Sequence, residues 1–345
     1  MSLLQETCDA IRGRSHEIEQ HIIDNWNAGS SVEQYGRLVN VVAQYGAATN
    51  QEHLTVPKPC MIIASADHGV ADMGVSAYPK ETTVGMTQNY LIPKGAGANS
   101  LANYCGAQME VIDMGIDADM SWVPGLRSHK LGMGTKNFVE EPAMTREQAI
   151  EGIEIGIRLV KEKIDEGFNV FLVGEMGISN TTASALMTAK FAGLTAEEAT
   201  GRGTNISDER LKLKQRIVHD VLEKYKNIPK DDAIGILSSV GGFEFTCIVG
   251  VILGAAANNA LVIIDGFNTS ACALVAKTLV PQAMDYVMAS HLSAEKAAKS
   301  SLENLGLEAY VDLGLCLGEA SGGSIQMGML DLAVHMYLAV TGGKA

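Results

Sequence analysis

Val170-Phe-Leu-Val-Gly-Glu-Met-Gly-Ile-Ser-Asn-Thr-Thr182 is the stretch that decides the fold. Its first four residues, Val170–Val173, form a short, unbroken apolar run, the pattern of a strand buried on both faces. Glycine, an acid and a series of small and hydroxylated residues follow, and a helix is expected to open near Thr181. Strand, glycine turn and helix in succession make the repeating half of a parallel sheet with helices over it.

The same alternation extends in both directions. Strands are expected at Met61–Ala64, Met109–Met114, Val170–Val173, Ala233–Leu237, Leu261–Ile264 and Tyr286–Ala289. After Pro142, Thr145-Arg-Glu-Gln148 is a capping box, and Ile150, Ile153, Ile157, Val160 and Ile164 follow at three- and four-residue steps. Ser207-Asp-Glu209 opens another helix, with Leu211, Val218, Val221, Leu222 and Tyr225 on its apolar side, ending near Asn227-Ile-Pro229. The fold class is therefore α/β: a Rossmann-like, mostly parallel sheet flanked by helices, with ligands expected beyond the carboxyl ends of its strands. Those ends carry Asp67-His68-Gly69, Glu175-Met176-Gly177, Asp265-Gly266 and Ser290-His291. Residues 1–55 read as polar-amphipathic helix, as does the tail from Leu330 to Val340. Neither end alone buries a core, so residues 1–55 and 319–345 are expected to meet in a small helical lobe beside a large α/β domain at 56–318.

Bulk composition excludes several classes. A net charge of −14 argues against nucleic acid as a partner. It leaves room for a small phosphate ester, which backbone N–H groups and one or two local cations can hold. No run of apolar residues is long enough to span a membrane, and Met1–Arg14 lacks the apolar core of a secretory signal, so the chain is expected in the cytoplasm. The six cysteines form no C-x-x-C pair and the eight histidines show no ligand spacing. Reduced thiols, no metal and no cofactor are expected.

Two acids stand out because glycine brackets both: Gly174-Glu175-Met176-Gly177 and Gly318-Glu319-Ala320-Ser321-Gly322-Gly323. Glycine serves where backbone must approach a ligand closely, and a carboxylate set on such a segment can take a proton from a bound substrate. Either acid alone reads equally well as a helix-start residue favoured by the macrodipole; the two together read as catalytic. Gly177, Ser179, Asn180, Thr181 and Thr182 offer donors at a helix start, suited to phosphate or ribose or to plain N-capping. Gly201-Arg-Gly-Thr-Asn-Ile-Ser-Asp208 has the same character, with Lys212 and Lys214 beyond it either neutralising an anion or facing solvent. Lys94-Gly-Ala-Gly-Ala-Asn99 lacks the third glycine of a dinucleotide loop. Asp67-His68 is either an acid–base pair or a loop brace, and no nucleophile elbow accompanies it. Met73, Met86 and Met176 are either core filler or the wall of an aromatic pocket.

Taken in order, these segments resemble the nicotinate-nucleotide:5,6-dimethylbenzimidazole phosphoribosyltransferase family of cobamide lower-ligand assembly. The resemblance runs through Ala66-Asp-His-Gly-Val-Ala71, Gly74-Val-Ser-Ala-Tyr-Pro79, Gly134-Thr-Lys-Asn-Phe138, Gly174-Glu-Met-Gly-Ile178, Asn180-Thr-Thr182 and Gly201-Arg-Gly-Thr204. It continues through Val240-Gly-Gly242, Gly254-Ala-Ala256, Asp265-Gly-Phe267, Ser290-His291, Ser293-Ala-Glu295, Asp312-Leu-Gly-Leu and Leu317-Gly-Glu319, so that roughly residues 20–340 are covered. It implies a dimer, homomeric or with a paralogue. It also implies transfer of phosphoribose from nicotinate mononucleotide to an aromatic base with inversion at C1′. By the same match Glu319 is the general base and Glu175 a stabiliser of the ribose cation or an aid to the base. Gly177, Asn180, Thr181, Gly203, Lys214 and Ser290 hold phosphate and ribose, and Tyr78, Met86, Gln88 and Leu315 form the acceptor pocket. The chain departs from the family pattern at Ser179, Asn205 and Ala320, where glycine is usual, and at Leu292, where arginine is usual. These departures leave two alternatives: a phenol- or p-cresol-activating branch working in a hetero-oligomer, and a catalytically silent partner subunit. A nicotinamide-dependent dehydrogenase is disfavoured by the missing glycine fingerprint.

Overall fold

All eight residues of the first strand, Pro59–Ala66 (β1), are buried, as expected of a strand covered on both faces. The computed structural model describes residues 1–342. The remaining strands are Gln108–Gly115 (β2), Arg127–Ser128 (β3), Val170–Met176 (β4), Leu261–Ile264 (β5) and Val287–Ala289 (β6). They form one six-stranded sheet in the order β3-β2-β1-β4-β5-β6, and every neighbouring pair is parallel. The chain runs outward from β1 through β2 to β3, then returns to β1's other side and continues through β4 to β6. That reversal falls between β1 and β4, and open parallel sheets take their ligands beyond the carboxyl ends of strands near such a point. In register, Ser65 of β1 lies beside Met176 of β4, so both strands deliver their last residues to the same rim.

Helices cover the sheet. The Phe243–Ala257 helix lies on β1, β2, β4 and β5, with the Arg146–Asp165 helix packed along it. Their close approach depends on glycine: a Cβ added to Gly156 would stand 2.2 Å from the Cys247 carbonyl oxygen. The Ser321–Val340 helix lies on β4 and β5 and also meets the Leu38–Ala48 and His16–Gly29 helices. There Trp26 sets its ring edge-on to Tyr337, centroids 5.6 Å apart. The Leu3–Ala10 helix instead packs against the Arg146–Asp165 and Phe243–Ala257 helices, with the Leu4 amide donating to Glu154 at 3.2 Å. One continuous apolar core links all these elements.

The capping box at Thr145 opens the Arg146–Asp165 helix, with Thr145 and Gln148 exchanging hydrogen bonds. Ser207 caps the Asp208–Lys224 helix, and the helix expected near Thr181 spans Asn180–Ala192. One expected strand is wrong. Ala233–Leu237 belongs to a helix, Ala233–Val240, whose residues are all buried. A short apolar run surrounded by protein has no polar face to reveal its period, so sequence alone cannot separate strand from helix there. The overlooked cue is Asp232, which caps that helix through the Gly235 amide at 2.9 Å. The two-residue β3 carries too little pattern to be read from sequence. Among the described residues, no helix is long and apolar enough to cross a membrane.

Candidate active site

The carboxyl ends of β4, β5 and β6 open onto one cleft of about 520 Å³. β4 and the turn after it supply Glu175 to Ile178, with Asn180 and Thr181 beyond; β5 leads into Asp265–Thr269; His291, Ser293 and Glu295 follow β6. Gly203–Asn205, Tyr78, Thr82, Met86 and Cys316–Glu319 complete the wall.

The two glycine-set acids meet here. A Cβ added to Gly174 would lie 2.6 Å from the Ala320 amide nitrogen and 2.9 Å from the Glu319 carbonyl carbon. One added to Gly318 would stand 3.1 Å from Glu175 Oε1. Glycine at these positions lets two backbones touch, which brings both carboxylates to one cleft wall.

Their surroundings differ. Burial pushes the Glu175 carboxyl up to about 7; the amides of Asn268 and Asn180 hold it down, while the charges of Glu244 and Asp265 push it further up. Asn180 Nδ2 donates to Glu175 Oε2. Asn180 in turn accepts from Asn268 at 3.1 Å, and Asn268 accepts from the Ser184 hydroxyl at 2.7 Å. Glu319 is also raised, first by burial and then by Asp265, with the Tyr90 hydroxyl opposing. Its backbone is left-handed at φ 60°, and so is that of Ala320 at φ 58°, a conformation that costs an L-residue about 1 kcal/mol or more.

Asp265 organises this end of the site. Its Oδ1 accepts from the Gly322 amide at 2.6 Å and the Gly323 amide at 3.2 Å, in the first turn of the Ser321–Val340 helix. Burial raises its pKa and His291 opposes the rise. Gly322 is required for space, since a Cβ there would fall 1.8 Å from His291 Nδ1. The Ser290 hydroxyl donates to the Asp265 carbonyl at 2.6 Å, which ties the end of β6 to that of β5.

The opposite corner carries a cation. Lys214 is 1% exposed, so it is no solvated surface lysine. Its Nζ donates to Thr181 Oγ1 at 2.8 Å, and burial draws its pKa down to about 8, with Glu295 opposing. Next to it Gly203, at φ 56°, donates its amide to Glu295 Oε1 at 2.8 Å. An ammonium, a threonine hydroxyl and the start of the Asn180–Ala192 helix converge at this corner, donors of the kind an anion needs.

Of the residues singled out in the sequence, Glu175, Glu319, Gly177, Asn180, Thr181, Gly203, Tyr78 and Met86 line the cleft. Lys214 stands directly behind Thr181, and Ser290 is fully buried behind the wall. Gln88 shares the Thr82–Leu91 helix with Met86 but is not part of the wall. Leu315 is half-buried outside the wall, its carbonyl accepting from the Ala294 amide at 2.8 Å. Met176 lines the cleft and Met73 does not. His68 pairs with Glu244 at 2.6 Å, both side chains fully buried. The pair lies directly behind Gly177, where an added Cβ would sit 3.2 Å from His68 Cδ2. Asp67 instead accepts the Asp117 amide at 2.8 Å. Sequence reasoning gave no role to Asn268, Glu244 or Glu295. A lone acid inside the apolar Phe243–Ala257 helix was the one available signal for Glu244.

A family model described as phosphoribosyltransferase matches residues 14–343. A nicotinate-nucleotide–dimethylbenzimidazole phosphoribosyltransferase of Geobacter sulfurreducens is 42% identical over 310 residues, covering 90% of this chain and 88% of the relative. The Geobacter metallireducens protein of the same name is 40% identical over 339 residues, covering 97% and 95%. Among solved structures, CobT from Thermus thermophilus superimposes with a TM-score of 0.88 at 33% identity, covering 93% of this chain and 96% of that one.

Proposed function

The chain belongs to the nicotinate-nucleotide–dimethylbenzimidazole phosphoribosyltransferase family and is a pentosyl-transferring enzyme; from that premise we propose that it moves phosphoribose from nicotinate mononucleotide to 5,6-dimethylbenzimidazole, with inversion at C1′. The observation that carries this reading is the cleft itself, with two raised carboxyls on one wall and a buried lysine at an anion-binding corner.

The donor's phosphate sits at the Lys214–Thr181 corner beside Gly177, Asn180 and Gly203, with Ser290 bracing the ribose end. The flat acceptor lies against Tyr78 and Met86, with Gln88 and Leu315 supporting that pocket from outside its wall. The acceptor nitrogen attacks C1′ as the bond to the nicotinate ring breaks. That bond's electrons pass to the cationic ring nitrogen, and neutral-nitrogen nicotinate departs without acid help. The acceptor's N–H proton goes to Glu319, so a carboxyl raised by burial is a stronger base for this step than an exposed one. Glu175 faces the positive charge that develops on the ribose. Alignment of acceptor and C1′ within one closed wall supplies much of the remaining rate.

The test is to incubate the purified chain alone with nicotinate mononucleotide and a mixture of 5,6-dimethylbenzimidazole, phenol and p-cresol. Products are identified by mass spectrometry and their anomeric configuration by NMR. The α-ribotide of dimethylbenzimidazole is expected. A β-ribotide would overturn inversion, and a phenolic product would move the chain to the phenol-activating alternative. No product alone, with activity restored by a paralogous subunit, would identify a chain that works only in a hetero-oligomer.

A further inference from the structure

We infer that Glu295 is a positioning residue for the donor's phosphate: its carboxylate holds the 201–205 loop in place and serves as the counter-charge that keeps the buried Lys214 ammonium protonated. This rests on the reading that Lys214 meets that phosphate.

The geometry is specific. Glu295 lines the cleft, and its Oε1 accepts the Gly203 amide at 2.8 Å. Its Oε2 is sealed from solvent and has no hydrogen-bond partner. Gly201 packs straight onto that oxygen, where a Cβ would stand 2.0 Å away. The loop so gripped has left-handed backbone at Gly203, φ 56°, and Asn205, φ 58°. Its other end is pinned by Thr204 Oγ1, which accepts the Ala77 amide at 2.9 Å. Lys214 lies across the same glycine, 3.4 Å from where a Gly203 Cβ would be. Gly203 therefore stands between the half-buried Glu295 carboxylate and the buried Lys214 ammonium.

An ammonium this deeply buried loses its proton easily unless an anion stands near. Other charged groups on the surrounding elements are turned to different partners. Lys190 donates to the Tyr225 and Ile228 carbonyls, Glu198 accepts from Thr195, Lys296 reaches the Glu197 carbonyl, and Arg202 pairs with Asp208. Glu175 lies on the acid wall with Asn180, and His291 lies against Asp265. Of all these, Glu295 alone raises Lys214 toward its ordinary value. When the nucleotide is absent, Glu295 is the charge that keeps Lys214 ready for it.

The experiment is the pH dependence of nicotinate mononucleotide binding and of kcat/KM, from pH 6 to 10, in four proteins. In the wild type, affinity should fall on the alkaline side as Lys214 loses its proton. Glu295→Gln can still accept the Gly203 amide but lacks the charge. Its alkaline limb should move to lower pH by about one unit, with affinity near pH 9 down roughly tenfold. Glu295→Asp keeps the charge and should keep the limb while raising KM at every pH. Lys214→Arg stays charged throughout and should abolish the limb. An unmoved limb in Glu295→Gln, an equal shift in Glu295→Asp, or a limb that survives Lys214→Arg would each overturn the inference. Wild-type protein that fails to bind nicotinate mononucleotide at any pH would overturn the functional reading instead.

Discussion

Glu175 and Glu319 follow the same glycine pattern and reach the same cleft, but the chain supports them in opposite ways. Glu175 ends a strand at the centre of the sheet, and a file of side chains, Asn180, Asn268 and Ser184, runs away behind it. Glu319 sits between the Cys316–Gly318 segment, where Leu317 is 58% exposed, and the first turn of the Ser321–Val340 helix. Its own backbone and that of Ala320 are left-handed. Of two carboxylates in one site, the first is fixed by a ready-made network and the second by backbone shape. On the proposed roles, a firmly held carboxylate suits a group that stabilises a developing cation, which Glu175 can do once pH passes about 7 and its proton is gone. On the same proposal, the group that takes the acceptor's proton is the one carried on a turn, although both acids are almost equally buried.

The largest effect expected from this contrast is at Glu319. Glu319→Gln should lower turnover by about 10²–10⁴-fold, with Glu175→Gln milder. Steady-state rates that rank the two the other way would exchange their roles. Next is the contact that joins them. Gly174→Ala places a Cβ 2.6 Å from the Ala320 amide nitrogen, so the two turns must separate. Turnover should fall roughly 10–100-fold and stability by about 1–3 kcal/mol; unchanged kinetics would show that the acids work independently.

A third prediction concerns only the fixed acid. Its folded pKa of about 7 is above the ordinary carboxylate value. Over that window the native protein holds a proton that the unfolded chain has released, so stability declines as pH rises from the ordinary value to about 7, by about 3 kcal/mol in all. Denaturant titrations of Glu175→Gln should show that slope removed; an undiminished slope would assign it to another group. The smallest effect is at Ala320. Replacement by glycine relieves a left-handed alanine and should raise stability by about 0.5–1 kcal/mol, visible as a thermal shift of about one degree. A drop in melting temperature would show that the buried Ala320 methyl, 0% exposed, contributes more by packing than its backbone costs.

Much of the fold was legible because buried parallel strands carry unbroken apolar runs, as Cys60–Ala64 of β1 and Val170–Val173 of β4 do, and because Thr145 and Ser207 carry their capping signals in one turn of sequence. Ala233–Val240 was misread for the complementary reason: a helix enclosed by protein shows no face. The cleft wall was legible where placement follows local pattern, as at the two glycine-set acids. It was not legible where placement depends on contacts between distant segments. Glu295 reaches Gly203 across 92 positions and Glu244 reaches His68 across 176, and neither acid has a local signature. Lys214 shows the limit of spacing arguments. Its helix position fits a solvated face equally well, and only the packing of Thr181 and Gly203 against it decides the matter.

The joining of the Ser321–Val340 helix to the ends of β4 and β5 has a consequence for the timing of synthesis. Glu319 is placed by a helix whose first turn is held by Asp265 and whose body rests on the Leu38–Ala48 and His16–Gly29 helices. As the chain leaves the ribosome, this helix is made after the sheet it covers, so one face of β4 and β5 stays bare until it docks. On the proposed reading, the docking of that helix both closes the core and brings Glu319 to the cleft.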